Sequence, residues 1–201
     1  MSISLRLLQA AGGSGLNIAA GTTPSPGNYL SPYDANASNR ISDLGGITFN
    51  SNGTKIYVCD DTGVNNSDDI NQYSLATAYD LGSATFDTRL EITFSGAGIG
   101  NVVGVKSIVF NNTGSKVFIQ VQRSVSVFHQ IAEYSLSTNY DLSTISSSPT
   151  TVWDYSNSKI PENIWFKPDG TKLFIIEGAS SNGLTHYNLS TAFDLSTMSA
   201  S

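Results

Sequence analysis

One long motif occurs three times in this sequence, and the repetition constrains the fold more than any other feature. The first half reads FNSNGTKIYV from Phe49, FNNTGSKVFI from Phe110 and FKPDGTKLFI from Phe166. The second half reads YSLATAYDLGS from Tyr73, YSLSTNYDLST from Tyr134 and YNLSTAFDLST from Tyr187. A period of roughly 50 to 60 residues indicates a chain built from repeated structural units.

Each unit predicts short strands joined by tight turns. The dipeptides Asn52-Gly53, Thr113-Gly114 and Asp169-Gly170 lie between apolar runs, which is the pattern of a β-hairpin. The second strands, KIYVC, KVFIQV and KLFIIE, are almost continuously apolar, which predicts that both of their faces are covered. A fourth strand is predicted at residues 90–94 and 150–153, and the third unit is predicted to lack one.

The second half of the motif predicts a compact turn. Asp80, Asp141 and Asp194 are interpreted as turn formers, because aspartate side chains bond nearby backbone N–H groups. The leucine after each aspartate is expected to anchor the turn in the core. The position directly before the tyrosine takes Gln72, Glu133 or His186, and this variety predicts a polar face.

Four short strands and one glycine hairpin per unit are typical of a β-propeller blade. The predicted fold class is all-β, a β-propeller-like array of three four-stranded blades whose last blade lacks its outer strand. Residues 1–45, rich in Gly, Ala, Pro and Asn, are predicted to form an extended N-terminal arm. Residues 46–201 form the repeat domain, with blades at about 46–100, 101–160 and 161–201.

Charge and composition argue against several classes of partner. The formal net charge of −6 removes the electrostatic attraction that drives nucleic-acid binding. No apolar run approaches the ~20 residues of a membrane-spanning helix. Cys59 is the single cysteine, so no intrachain disulfide is expected, and its apolar surroundings predict a buried thiol. The first residues are not expected to form a signal peptide.

Few residues qualify as a chemical site. Asp60, Asp61, Asp68 and Asp69 crowd one loop and are weak calcium candidates, although their spacing differs from an EF-hand and a solvated loop is favoured. His129 and His186 have no partner at a recognisable spacing, so no catalytic residue and no cofactor is predicted. Trp153 and Trp165 are expected to pack in the core. Aromatic residues outside the repeat are the better candidates for contact with a partner: Tyr29, Tyr33 and Phe128.

The repeat FKPDGTKLFI…YNLSTAFDLST resembles a family of β-propeller repeats with the pattern F-x-P-D-G-T-K-x-[FY]-[IV] … Y-x-L-S-T-x-[FYW]-D-L-S-T. The family occurs in tail-fibre and other virion proteins of phages, especially marine ones, and in secreted marine bacterial proteins. The resemblance covers about residues 46–199. It implies a non-enzymatic propeller, or part of one, used in virion structure or surface attachment. Three legible blades fall below the four to eight of a closed propeller.

These observations predict a non-enzymatic structural protein of a phage virion, assembled in the bacterial cytoplasm and serving assembly or host attachment. Its partners would be other virion proteins, copies of itself or a host-surface receptor, with no nucleic acid and no insertion into a membrane. The alternatives are a secreted bacterial adhesion module and a propeller enzyme such as a lactonase or a glycosidase. The propeller enzyme would need acidic groups or a metal converging on a ring axis.

Incomplete blades predict exposed surfaces that assemble with another chain. The third strand of the last unit, residues 184–189, is expected to be an unpaired edge, and residues 47–49 are expected to present an uncovered apolar face. The arm strand, residues 3–8, could add to blade three of its own chain, or a neighbouring subunit could supply it. The tightness of a three-bladed ring favours the neighbour, which predicts an obligate oligomer or a complex with other virion proteins. The expected assembly residues are Ile3, Leu5, Leu7, Ile47, Phe49, Leu184, Tyr187 and Leu189.

Overall fold

The computed structural model describes residues 44–60, 69–92, 102–123, 129–155, 160–178 and 183–200. Blade 1 consists of β1 (Leu44–Phe49), β2 (Lys55–Asp60), β3 (Asp69–Leu75) and β4 (Ala84–Glu91). Blade 2 consists of β5 (Val102–Phe110), β6 (Lys116–Arg123), β7 (His129–Ser135) and β8 (Thr151–Tyr155). Blade 3 consists of β9 (Ile160–Phe166), β10 (Lys172–Gly178), β11 (Gly183–Leu189) and β12 (Met198–Ala200).

Each blade is a four-stranded antiparallel sheet whose strands follow the order of the chain. The first strand of blade 2, β5, contacts the first strands of both neighbours, β1 and β9. The blades therefore stand side by side around their first strands, and the predicted all-β, propeller-like fold is confirmed. Within the described ranges, no helix is long and apolar enough to cross a membrane.

The hairpin between the first two strands of every blade has the predicted glycine turn. Gly53, Gly114 and Gly170 all have φ between 72° and 73°, a region that L-residues with side chains avoid. In blade 3, the Gly170 N–H donates to the Lys167 carbonyl at 2.7 Å. The turn dipeptides of the sequence are therefore confirmed as hairpin turns.

An aromatic ring covers each of these glycines. Tyr79, Tyr140 and Phe193 precede the turn aspartates and also have positive φ, between 54° and 61°. Their N–H groups donate to the carbonyls of Gly53, Gly114 and Gly170 at 2.9 to 3.0 Å. A Cβ atom built on any of the glycines would lie 2.2 to 2.3 Å from the nearest ring atom. We call this arrangement the aromatic–glycine contact, and it explains why the two halves of the motif recur together.

The turn aspartates act as the sequence predicts. Asp80, Asp141 and Asp194 each cap a short 3₁₀ turn, and their Oδ1 atoms accept hydrogen bonds from the N–H two residues later at 2.9 to 3.0 Å. The leucine that follows is buried in blades 2 and 3 and half-buried in blade 1. The hydrogen bonds from Ser196 hold the pKa of Asp194 below its usual range, against the effect of burial.

Two hydrophobic clusters join the blades. Tyr57 and Ile70 of blade 1 pack against blade 2, and Phe118 and Ile131 of blade 2 pack against blade 3. The predicted burial of both faces holds for the second strands β2 and β6, whose central residues are all buried. In β10 the residues alternate, and Ile176 is 53% exposed, because no further blade covers that face.

Several predictions about blades 1 and 3 are wrong. Blade 3 does have a fourth strand, because β12 begins directly after its 3₁₀ turn and pairs with Tyr187, Asn188 and Leu189. The edge predicted at residues 184–189 is therefore paired over its second half. The fourth strand of blade 1 likewise begins early, at Ala84 rather than at residue 90, for the same reason. Trp165 was expected in the core and is 55% exposed, because it lies on the open side of blade 3.

The polar position before the repeated tyrosine is not a solvated face in blades 1 and 2. Gln72 and Glu133 are 1% and 2% exposed. Gln72 Oε1 accepts a hydrogen bond from the Leu142 N–H, and Glu133 Oε2 accepts one from the Leu195 N–H, both at 2.9 Å. Each polar side chain thus binds the 3₁₀ turn of the next blade, a contact between distant parts of the sequence that a single repeat does not reveal.

The aromatic–glycine contact predicts a non-additive effect of two substitutions. Gly170→Ala alone should lower the free energy of unfolding by roughly 1–2 kcal/mol, because alanine is strained in the left-handed region. Displacing the Phe193 ring should lower it further. In a Phe193→Ala background the ring is absent, so Gly170→Ala should cost only the conformational part. Urea unfolding of the four proteins measures both values. Equal costs in the two backgrounds would show that the ring does not rest on the glycine.

Candidate functional site

The two ends of the blades differ in chemistry. The glycine hairpins and 3₁₀ turns lie at one end of the blades, and the last residues of β2, β4, β6, β8 and β10 lie at the opposite end, which we call the loop end. Six of the ten buried polar side chains among the described residues lie in the strand segments nearest the loop end: Asp69, Asn71, Gln120, His129, Gln130 and Glu177.

His129 is the first residue of β7 and pairs across the sheet with Tyr155 of β8. Its side chain is buried, and in the described part of the chain its Nδ1 atom has no hydrogen-bond partner. Burial lowers the pKa of His129 below its ordinary value, the nearby Glu162 carboxylate opposes this shift, and the Lys106 ammonium adds to it. The imidazole is therefore neutral at pH 7 and able to accept a proton.

Blade 3 contributes two carboxyl groups: Glu177 is hydrogen-bonded to Tyr155, the strand partner of His129, and Glu162 interacts electrostatically with His129. Glu177 is 4% exposed and accepts hydrogen bonds from the hydroxyls of Tyr155 and Thr185. Burial and then the Glu177 contact raise the pKa of Tyr155, so its hydroxyl stays protonated and donates. Glu162 is exposed and lies against Gly178, where a Cβ atom would be 2.7 Å from Glu162 Oε1.

These groups come from β5, β7 and β8 of blade 2 and from β9 and β10 of blade 3. We call Lys106, His129, Tyr155, Glu162 and Glu177 the junction cluster. It combines a neutral imidazole, a buried carboxyl group that accepts two hydroxyl hydrogen bonds, an exposed carboxylate and an ammonium. Such a set can move a proton and stabilise developing negative charge.

Buried amides extend the polar character of the loop end. Gln120 donates from Nε2 to the Pro161 carbonyl at 2.5 Å, and Gln130 donates from Nε2 to Asp154 at 2.5 Å. Within the described ranges, the oxygens of both glutamines and both polar atoms of the Asn71 amide have no hydrogen-bond partner. Buried polar groups are normally satisfied, so these atoms mark places where loop residues, water or a ligand would bind.

The calcium candidates do not form a site in the described part of the chain. The Asp69 carboxylate forms an ion pair with Arg89 instead. Asp61 and Asp68, together with the side chain of Asp60, lie outside the described residues. Among described residues, no group of three or more His, Cys, Asp or Glu side chains is arranged to hold a metal ion.

A groove of about 540 Å³ runs along the first strands of the three blades. Its lining is mainly apolar and includes Ile47, Ile108, Ile164 and Leu184. Few polar groups line the groove, and the Ser107 hydroxyl already donates a hydrogen bond to Asn163 Oδ1 at 3.0 Å. The groove offers apolar contact area but lacks the titratable groups that the junction cluster provides.

The other predicted residues are dispersed. Cys59 is buried, as predicted, whereas Leu189, predicted as an assembly residue, is buried in the core. Ile47 and Leu184 are exposed, and Phe49 and Tyr187 are half-buried. His186 lies on β11 beside Phe174, with ring centroids 5.7 Å apart. The remaining predicted contact residues fall outside the described ranges: Ile3, Leu5, Leu7, Tyr29, Tyr33 and Phe128.

Sequence reasoning missed the junction cluster because its members come from five strands and match no spaced motif. Lys106, His129 and Tyr155 belong to blade 2, whereas Glu162 and Glu177 belong to blade 3. Lys106 and Glu162 occupy one repeat position with Gly45, and Glu177 aligns with Asp60 and Val121, so the repeat pattern itself does not single these residues out.

No protein-family model matches the chain, and no curated protein matches it. Solved structures do match. One is a protein of Bacteroides fragilis provisionally assigned as a 6-phosphogluconolactonase, with 16% identity over 78% of this chain and 37% of that chain, at a TM-score of 0.52. Two others are a similarly assigned protein of Bacteroides uniformis (16% identity, 80% and 39% coverage, TM-score 0.49) and a periplasmic gluconolactonase of Pseudomonas aeruginosa (13%, 75% and 40%, 0.49).

The first of these likenesses establishes the propeller fold. The prediction that the chain is not an enzyme is contradicted, because the structures it resembles are named as lactonases. That prediction relied on the resemblance of the repeat and on the absence of a spaced catalytic motif, an export signal and disulfides. The chain spans less than half the length of each of these three structures.

The neutral state of His129 predicts a pH effect on stability. In the unfolded chain a histidine takes up a proton near pH 6.5, whereas burial disfavours the protonated form in the folded protein. The unfolded state then binds more protons, so the free energy of unfolding should fall as pH drops below about 6.5 and level off above it. His129→Gln should flatten this dependence in urea unfolding at pH 5 to 8. Parallel curves for the two proteins would contradict the assignment.

Proposed function

We propose that this chain hydrolyses a sugar lactone at the junction cluster. The observation that carries the proposal is the buried His129, whose pKa is lowered by burial and which interacts electrostatically with Glu162 and Lys106 near the loop end of the blades. The names of the matched structures supply the substrate class, since they are gluconolactonases and provisionally assigned 6-phosphogluconolactonases.

The reaction needs a base, an acid and a group that stabilises negative charge. The His129 imidazole takes a proton from water, and the water oxygen attacks the lactone carbonyl carbon. The Lys106 ammonium then stabilises the oxyanion, and the bond from the carbonyl carbon to the ring oxygen breaks. The imidazolium returns the proton to the leaving ring oxygen, giving a hydroxy acid. Glu162 supports the imidazolium that forms in between, because the nearby carboxylate favours the charged form.

Charge favours an unphosphorylated substrate. The whole chain carries a formal net charge of −6, and the junction cluster has two carboxyl groups for one ammonium. A phosphate dianion would meet repulsion at such a site, whereas a neutral lactone would not. Glucono-1,5-lactone is therefore the first substrate to test, with the 6-phosphorylated lactone as the comparison.

The purified full chain should release acid from glucono-1,5-lactone faster than buffer alone, measured by titration at constant pH. General acid–base catalysis contributes on the order of 10²–10⁴-fold, so His129→Asn should lower kcat/KM by about that factor. The activity should also fall at acidic pH as His129 becomes protonated. Glu162→Gln should shift the acidic limb of the profile to lower pH, because it removes the carboxylate that favours the imidazolium.

Glu91→Gln provides the matched control, because Glu91 is an exposed carboxylate in blade 1. It should leave the rate unchanged. A rate equal to the spontaneous rate, or a His129→Asn protein as active as the unaltered chain, would refute the proposal. Unchanged far-UV spectra of the variants would exclude misfolding as the cause of any loss.

A second proposal is attachment within a phage virion, in contact with other virion proteins or a host-surface receptor. It is supported by the repeat FKPDGTKLFI…YNLSTAFDLST and its resemblance to virion propeller repeats. Mass spectrometry of purified particles tests it directly. Absence of this chain from every particle preparation would exclude the virion as its location, whatever the outcome of the lactone assay.

A further inference from the structure

The joint between neighbouring blades is built the same way twice. The Tyr57 ring of blade 1 packs on Phe110 of blade 2, and the Phe118 ring of blade 2 packs on Phe166 of blade 3, each with centroids 4.5 Å apart. Each joint also has the buried polar side chain that binds the next 3₁₀ turn. In each joint, the second and third strands of one blade form a surface that we call the forward side. The surface of the next blade that packs against it is the rear side.

The forward side is buried in blades 1 and 2 and exposed in blade 3. Strand pairing aligns Cys59 with Ile70, Gln120 with Ile131, and Ile176 with Leu184. The first two pairs are 0% exposed, whereas Ile176 and Leu184 are 53% and 70% exposed. The same positions that lie inside a joint in two blades are therefore apolar and open to solvent in the third.

The rear side shows the reverse pattern. Ile47, Ile108 and Ile164 occupy one repeat position, two residues before the phenylalanine that opens the motif. Ile108 and Ile164 are each 2% exposed, and Ile47 of blade 1 is 62% exposed. Tyr79, whose ring covers the hairpin glycine of blade 1, is also 60% exposed. The chain thus carries the two complementary halves of its own joint, one at each end of the array.

We propose that a second copy of this chain closes both open joints, so that blade 3 of each copy packs on blade 1 of the other. The inference depends on the repeated joint and not on the lactonase proposal. Ile47, Ile176 and Leu184 also line the groove along the first strands, so the second copy would cover that groove too.

The number of copies follows from the number of blades. Closed propellers contain about four to eight blades. The described part of one copy supplies three, which is too few, and three such copies would supply nine, which is too many. Two copies supply six, and a head-to-tail contact made twice forms a closed ring with twofold symmetry.

The polar part of the joint fits the same arrangement. His186 occupies the repeat position of Gln72 and Glu133, opposite the aromatic residue of the second strand. The groups bound by Gln72 and Glu133 are the N–H groups of Leu142 and Leu195. The equivalent N–H in blade 1 belongs to Leu81, so the second copy would place the Leu81 N–H opposite His186.

The mass of the full chain in solution tests the proposal. Light scattering coupled to size exclusion at about 50 µM should give twice the 21.3 kDa of one chain. Leu184→Asp and Ile47→Asp, each placing a charge in one half of the joint, should both give monomers. Leu184→Met, which keeps the position apolar, should remain dimeric. Both aspartate positions are exposed in the single chain, so far-UV spectra should be unchanged.

Mixing the two monomeric variants provides the sharper test. A heterodimer of Leu184→Asp with Ile47→Asp has one joint free of either substitution, between the native Leu184 of one chain and the native Ile47 of the other. The mixture should therefore regain dimer to a larger extent than either variant alone. A monomeric or larger unaltered chain, a dimeric Leu184→Asp protein, or a mixture no more dimeric than its components would overturn the proposal.

Discussion

The contact between an aromatic ring and a hairpin glycine underlies the whole arrangement of this protein. Tyr79, Tyr140 and Phe193 each adopt a positive φ, which costs an L-residue of order 1–3 kcal/mol. The backbone hydrogen bond to the glycine carbonyl and the packing of the ring offset that cost. The contact fixes the 3₁₀ turn against the hairpin, and the 3₁₀ turn in turn presents the N–H group that the preceding blade binds.

The joints between blades depend on this placement. The buried Glu133 carboxylate accepts a hydrogen bond from the Leu195 N–H at 2.9 Å and forms an ion pair with Lys116 at 2.6 Å. Removing one partner of such a buried group is costly, whereas apolar contacts tolerate small shifts. The polar bond therefore sets the register between blades, and the aromatic and aliphatic side chains around it provide the burial.

Local features of the fold could be predicted from the sequence, and features that depend on distant residues could not. The hairpins at Gly53, Gly114 and Gly170 and the aspartate turns follow from short-range backbone chemistry. The short strand β12 escaped prediction because its three residues carry no alternating pattern of their own. The buried roles of Gln72 and Glu133, and the cluster around His129, depend on neighbours in the next blade, so residue type alone does not reveal them.

Native-state hydrogen exchange at the amides of Tyr79, Tyr140 and Phe193 tests this account most directly. These residues lie in surface turns, where amides ordinarily exchange fast. If the aromatic–glycine contact holds each turn, all three amides should exchange as slowly as those of the adjacent strands, and far more slowly than the neighbouring exposed Ala192. Exchange of the three amides at the rate of Ala192 would contradict the account.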